Sequence, residues 1–169
     1  MKPTLPRKLC APADVARCAS LLARPLVFTN GVFDVLHRGH VESLKAAASL
    51  GRSLVVGLNS DAGARALGKG PDRPLNTEID RAFMLDALHC VTMIVLFDES
   101  KPLELLRQVR PDIYVKGGDC DVRDLEEARL VESWGGRALA LGFVPGYSTT
   151  SLVERIRRKP RQERSWPAS

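Results

Sequence analysis

Short apolar runs alternate with longer amphipathic stretches along most of this chain, and that alternation predicts a layered architecture. Residues 26–29, 53–58, 91–97, 112–115 and 138–141 are short, rich in Val, Leu and Ile, and read as strands. Residues 39–50, 61–67, 77–88, 101–109, 124–134 and 151–158 place apolar side chains three and four apart, as one face of a helix requires. Residues 13–22 do the same with Val15, Ala19 and Leu22, a short leader helix closed by Pro25. Strands separated by helix-length segments pair in parallel through crossover connections. The expected fold is therefore α/β, a doubly wound parallel sheet in a single domain. Residues 26–158 would form that domain, and residues 1–25 an extension carrying the leader helix. Residues 159–169 hold Pro160, Pro167 and little to bury, so they are expected to be a disordered basic tail.

Composition narrows the class only modestly. With 44% hydrophobic and 27% charged residues over 169 positions, the chain is expected to fold rather than remain disordered. No apolar run approaches the roughly 20 residues that span a bilayer. The opening Met1-Lys2-Pro3-Thr4-Leu5-Pro6 has no hydrophobic signal core. A cytoplasmic protein without a membrane partner is the expectation. The net charge of +5 is unevenly placed: residues 1–24 hold five basic residues against one acidic, and residues 154–169 six against two. The stretch between them is slightly acidic, so the basicity belongs to the ends, and no nucleic-acid partner is expected. Cys10, Cys18, Cys90 and Cys120 are far apart and show no zinc-ligand spacing, so they read as free thiols, and no protein-held metal site is expected.

In a doubly wound sheet, ligands bind beyond the carboxyl ends of the strands where the winding reverses. Three segments at such positions carry candidate chemistry. The first, Thr29-Asn30-Gly31-Val32-Phe33-Asp34-Val35-Leu36-His37-Arg38-Gly39-His40, leads from the first long strand into a helix. Free N–H groups and the positive end of the helix dipole favour an anion there, Gly39 allows close approach, and His37 and His40 supply N–H donors. The second, Leu67-Gly68-Lys69-Gly70-Pro71-Asp72-Arg73-Pro74, is a loop that could close over a ligand, with Lys69 and Arg73 as two kinds of phosphate-binding cation. Arg81, early in the following helix, is a candidate for the same anion. The third is a pair: Val115-Lys116-Gly117-Gly118-Asp119 after a strand, and Gly146-Tyr147-Ser148-Thr149-Thr150 before the last helix. Glycines there let a ligand lie against the backbone, the Asp119 carboxylate suits ribose hydroxyls, and Ser148 to Thr150 form a helix start able to hold phosphate. The chain contains neither G-x-x-x-x-G-K-[ST] nor G-x-G-x-x-G, so it lacks the phosphate cradles of P-loop hydrolases and dinucleotide oxidoreductases.

Taken together these segments resemble the H-x-G-H nucleotidyltransferase superfamily, and within it the ADP-heptose synthase branch. The resemblance rests on residues 28–40, Asn59-Ser60-Asp61, Arg73-Pro74-Leu75-Asn76, Val115 to Asp119 and Ser148-Thr149-Thr150, in family order from about residue 26 to 157. It implies a Rossmann-like fold and a reaction in which a sugar 1-phosphate attacks the α-phosphorus of ATP, releasing pyrophosphate. It also implies catalytic roles for His37, His40 and Lys69. A nucleotide site would draw on Thr29, Asn30, Gly31, Phe33, Gly39, Arg73, Arg81, Lys116, Gly117, Gly118, Asp119, Ser148, Thr149 and Thr150. Asn30, Asp34 and Asn59 would meet the acceptor. Mg2+ would arrive with ATP, and a homo-oligomer is expected. Cytidylyltransferase relatives carry R-T-x-G-I-S-T before the last helix; here Phe143, Val144 and Tyr147 replace the Arg, first Thr and Ile. That departure counts against a glycerol- or choline-phosphate cytidylyltransferase. Transfer of another nucleotide, or to another phosphorylated acceptor, stays open as the alternative within this class. From another class, a nucleotide- or RNA-binding module using its basic termini is the competing reading. The chain has no room for the sugar kinase that many heptose enzymes fuse to this domain, so a stand-alone adenylyltransferase is expected.

Overall fold

A computed structural model describes residues 4–68, 72–118, 121–142 and 146–158. Six strands form one sheet: β1 (Leu9–Cys10), β2 (Leu26–Gly31), β3 (Ser53–Asn59), β4 (Met93–Phe97), β5 (Ile113–Gly117) and β6 (Arg137–Leu141). Seven α-helices connect and cover them: α1 (Val15–Ser20), α2 (Arg38–Ala48), α3 (Asp61–Ala66), α4 (Glu78–Asp86), α5 (Leu103–Val109), α6 (Glu126–Glu132) and α7 (Thr149–Arg157). Every pairing is parallel, in the order β1-β4-β3-β2-β5-β6. From β2 the chain winds outward through β3 and β4, then returns to place β5 and β6 on the other side. The winding thus reverses between β2 and β5, where a doubly wound sheet leaves a crevice.

Burial follows the sequence closely. Ser53 to Asn59 is buried at every position, as a central parallel strand covered on both faces must be. The edge strand β6 is only partly covered. Two apolar clusters sit on opposite faces of the sheet. One joins Phe28, Val55 and Tyr114 to Leu105 and Leu106 of α5 and Val131 of α6. The other joins Val27, Val56 and Val115 to Leu44 of α2 and to Ala82 and Leu85 of α4. Strand residues of even and odd number therefore face different helices, and each residue's parity decides which half of the crevice it addresses.

Three features depart from the sequence reading. The leader helix is shorter than 13–22, because Pro12–Asp14 forms a 3-10 turn ahead of α1. The two-residue strand β1, too short to show any alternation, pairs with β4, so part of the expected extension belongs to the sheet. Lys8 secures it, its backbone N–H donating to Asp86 Oδ1 at 2.7 Å and its ammonium to the Asp86 and Leu88 carbonyls at the end of α4. Strands β2 and β5 each run two residues past their predicted ends, which puts Asn30, Gly31, Lys116 and Gly117 on the sheet itself. Among the described residues no helix is long and apolar enough to cross a membrane. The expected tail, residues 159–169, lies outside the described residues, as do Lys69, Asp119 and Cys120.

Candidate active site

At the switch point between β2 and β5 lies a cavity of about 800 Å3. Its wall brings together Thr29, Asn30, Gly31, Phe33, Asp34, His37, Gly39, His40, Asn59, Arg73, Lys116, Gly117, Ser148, Thr149 and Thr150, drawn from all three candidate segments and, for Asn59, from the end of β3.

The α2 side of the cavity is built by the turn that leaves β2. Phe33 and Val35 both have left-handed backbones, at φ 50° and 54°. For the β-branched Val35 this is an uncommon conformation that the surroundings must hold in place. Asp34, between them, does much of the holding. Its carboxylate accepts from Arg73 Nη1 at 3.0 Å, from the Leu75 N–H at 2.9 Å and from the Asn76 N–H at 3.0 Å. Its carbonyl accepts from the Thr149 hydroxyl at 3.1 Å. Burial would raise the Asp34 pKa, yet the two N–H groups and the Arg73 guanidinium outweigh it and hold the carboxyl below its ordinary value. The carboxylate expected to meet the acceptor is therefore spent on a protein clamp that ties together the turn, the 73–76 loop and the start of α7.

His37 caps α2, its Nδ1 accepting from the His40 N–H at 3.4 Å. His40 follows in the first turn, and the two rings stack 3.8 Å apart at 20°. Phe33 meets the His40 ring edge-on at 5.4 Å. Burial pushes the His37 pKa down, so near neutral pH the ring is uncharged. With Nδ1 accepting, the proton of neutral His37 resides on Nε2, which is thereby a donor. Gly39 is a place where only hydrogen fits: a Cβ there would lie 2.9 Å from Tyr147 Cβ and 3.0 Å from the His37 ring. The absence of that side chain lets α7 close down over α2. Arg38 extends this contact, its guanidinium 5.6 Å from the centre of the Tyr147 ring.

The start of α7 faces the same space. Ser148 caps it, accepting the Ser151 N–H at 3.1 Å, and Thr149 gives its hydroxyl to Asp34. With those groups occupied, the first-turn N–H groups are what this helix offers an anion, as α2 does opposite.

On the α5 and α6 side, the wall is formed by Asn30, Asn59, Ser100 and Lys116. Lys116 Nζ stands 3.9 Å from Glu127 Oε1 of α6, a carboxylate on a residue only 3% exposed. Gly118, at φ 118°, turns the chain out of β5, and its N–H donates to the Leu141 carbonyl at 2.9 Å.

Arg81 corrects the sequence reading. It is 1% exposed and sits behind the wall, with its guanidinium donating to the carbonyls of Val32, Asn59 and Asn76 and to Asp61 Oδ1 at 2.7 to 3.1 Å. It braces the carboxyl ends of β2 and β3 instead of meeting an anion. Sequence reasoning also passed over Ser43, Ser100 and Ser151, all on the wall. For Ser100 the signal was its place just beyond β4, at the carboxyl edge of the sheet. Among the described residues no three His, Cys, Asp or Glu side chains converge to hold a metal ion.

Comparison with known proteins agrees with this geometry. Residues 28–155 match the family described as cytidylyltransferase-like. A protein of Bordetella bronchiseptica, D-beta-D-heptose 1-phosphate adenylyltransferase, is 56% identical over 143 residues, covering 85% of this chain and 88% of that protein. The bifunctional protein HldE of Syntrophotalea carbinolica is 51% identical over 143 residues, of which the chain spans 29% of the relative's length. Among solved structures, the lipopolysaccharide core biosynthesis protein of Thermoplasma volcanium aligns with a TM-score of 0.57 at 31% identity, over 70% of this chain and 95% of that one. The pantoate-beta-alanine ligase of Francisella tularensis, at 14% identity and the same TM-score, covers 79% of this chain and 66% of that one, and shares the fold.

Proposed function

Since the chain belongs to the cytidylyltransferase-like family of nucleotidyltransferases, we propose that it transfers AMP from ATP to D-glycero-β-D-manno-heptose 1-phosphate, forming ADP-heptose and pyrophosphate. The observation that carries this reading is the 56% identity to a heptose 1-phosphate adenylyltransferase along nearly the whole of both chains. The HldE relatives, of which this chain spans under a third, match it through a comparable stretch. The product suits a surface glycan such as lipopolysaccharide core, and the enzyme would act in the cytoplasm.

The site's geometry suits such a transfer. An oxygen of the sugar phosphate attacks the α-phosphorus of ATP, the new P–O bond forms, and the bond to the β-phosphate oxygen breaks as pyrophosphate departs. The nucleophile is already ionised, so the protein has no proton to remove. Its tasks are alignment and stabilisation of charge on the α-phosphate and the leaving group. The triphosphate would lie on the α2 side, against the N-termini of α2 and α7, with His37 Nε2, His40 and Arg73 as donors and Lys69 as a further cation. Gly117, Gly118 and Asp119 would hold the nucleoside. Attacking and leaving oxygens lie roughly in line across the reacting phosphorus. A leaving pyrophosphate on the α2 side therefore places the acceptor on the α5 side, against Asn30, Asn59, Ser100 and Lys116. Magnesium belongs to the substrate as MgATP: Asp34, the one carboxylate among the described wall residues, is engaged by Arg73 and two N–H groups. Self-association of the chain completes the proposal.

The test is direct. Purified protein with MgATP and the heptose phosphate should release one pyrophosphate per ADP-heptose, followed by coupled assay and mass spectrometry. Replacing ATP by CTP should nearly abolish turnover. Turnover with CTP alone, or none with ATP, would overturn the assignment.

A further inference from the structure

Buried beneath the acceptor side of the cavity is a tyrosine hydroxyl with a specific target. Tyr114 lies on β5, opposite Phe28 of β2, and is fully buried. Its side chain belongs to the α5 and α6 face, where its ring lies 6.2 Å from that of Phe28. Asn30 is two residues beyond Phe28 on the same strand and faces the same way; a Cβ on the neighbouring Gly57 would touch Phe28, Asn30 and Leu105. The Tyr114 hydroxyl donates to Asn30 Oδ1 at 3.2 Å.

An asparagine amide has an acceptor end and a donor end, and either can point either way until a neighbour chooses. A hydroxyl can bond either end; in this structure it donates to Oδ1, which leaves Nδ2 as the end turned away from Tyr114. The Nδ2 group has no acceptor among the described residues, and Asn30 lines the cavity. A phosphate monoester near neutral pH offers mainly acceptor oxygens. Only an Asn30 that shows its nitrogen suits such a group; one that showed its oxygen would repel it. Lys116, two residues beyond Tyr114 on the same face, adds a positive charge to the same wall.

We infer that Tyr114 is a positioning residue: it locks the Asn30 amide so that Nδ2 donates to the phosphate of the incoming acceptor, on the side of the α-phosphorus away from the two histidines. This rests on the proposed transfer to a sugar phosphate and adds to it a residue that never touches substrate. Its hydroxyl contributes by holding the Asn30 side chain in place, so its loss is felt in acceptor binding and not in nucleotide binding.

The test is a double-mutant cycle, with KM for each substrate measured separately. Tyr114→Phe keeps the ring in its packing and removes the hydroxyl's bond to Asn30, so KM for the heptose phosphate should rise about 3–10-fold with KM for ATP unchanged. Asn30→Asp, which replaces the donor by a charged acceptor, should raise the acceptor KM further than Tyr114→Phe does. In an Asn30→Ala background, Tyr114→Phe should have no further effect, because its target is gone. Thermal melts identify the folded range for each variant, and kinetics are run well below every midpoint. The inference is overturned if Tyr114→Phe leaves the acceptor KM unchanged, raises both KM values equally, or acts with full size in the Asn30→Ala background. A wild-type protein that makes no ADP-heptose fails the functional proposal, and this inference with it. An active wild type with an indifferent Tyr114→Phe fails the inference alone.

Discussion

His40 stands in the first turn of α2, with its ring stacked on His37 and met by Phe33. In the proposed transfer, a ring held between two others in this way would donate to charge that develops during the reaction with little reorganisation. His40→Ala is accordingly expected to lower kcat by about 10²–10³ with little change in fold, checked by steady-state kinetics beside circular dichroism. His37 makes a prediction of its own. Its folded pKa lies below the ordinary 6.5 because burial disfavours the charged ring. The unfolded chain therefore takes up the proton first as pH falls. Stability attributable to the neutral ring is complete above pH 6.5 and is lost as pH drops through that value toward the folded pKa. Melting temperatures measured from pH 8 to 5 should show a decline below pH 6.5 that His37→Gln reduces. Arg81 belongs to the same scale but to structure: removing its guanidinium leaves the Val32 and Asn59 carbonyls unpaired inside the fold. Arg81→Met should cost on the order of 3 kcal/mol in denaturant unfolding. The identities of these residues were plain in the sequence, and their duties were not. A cation next to a glycine-rich loop reads as a phosphate ligand until the fold shows it enclosed by carbonyls.

Elements explain why the turn after β2 can carry strain. Asp34 accepts from the 73–76 loop through its side chain and from α7 through its backbone, so three separate elements hold one unfavourable turn. Two helices aim their N-termini into the crevice from this arrangement, and their contact depends on Gly39. Adding a single methyl there would press on Tyr147 and the His37 ring at once. Gly39→Ala should thus depress kcat/KM for ATP strongly while the melting temperature falls only a few degrees, since the sheet is untouched. A comparable loss of both would show the glycine to be a folding requirement instead. Helix and strand periods made most elements legible, but their ends were less so. Strands β2 and β5 outran their apolar runs because a strand end that opens on a crevice is only partly buried and can be polar, as Asn30 and Lys116 are. Strand β1 escaped notice because two residues show no period, and only its pairing with β4 defines it.

At the scale of the molecule, an all-parallel sheet with its reversal between β2 and β5 decides where the candidate segments meet. Segments separated by more than a hundred residues reach one cavity because every strand delivers its carboxyl end to the same edge. The excess of basic residues is carried by the ends of the chain and not by the segments that supply the described wall residues. Removing residues 159–169 is expected to leave turnover and both KM values unchanged, whereas a nucleic-acid module relying on those charges would lose salt-sensitive affinity. Filter binding at two ionic strengths, beside the enzymatic assay, separates the two outcomes.

Hydrophobic periodicity and the H-x-G-H, Lys-Gly-Gly-Asp and Ser-Thr-Thr segments determined by themselves the fold class, the family and most of the residues that line the cavity, because each is a local pattern. What only the tertiary structure decided is how those residues divide their labour: that Asp34 and Arg81 serve the scaffold, that His37 caps α2, and that Tyr114 stands behind Asn30. Such assignments depend on which groups have already found partners. Hydrogen bonds between residues as far apart as Asn30 and Tyr114 exist only once parallel strands have brought them side by side.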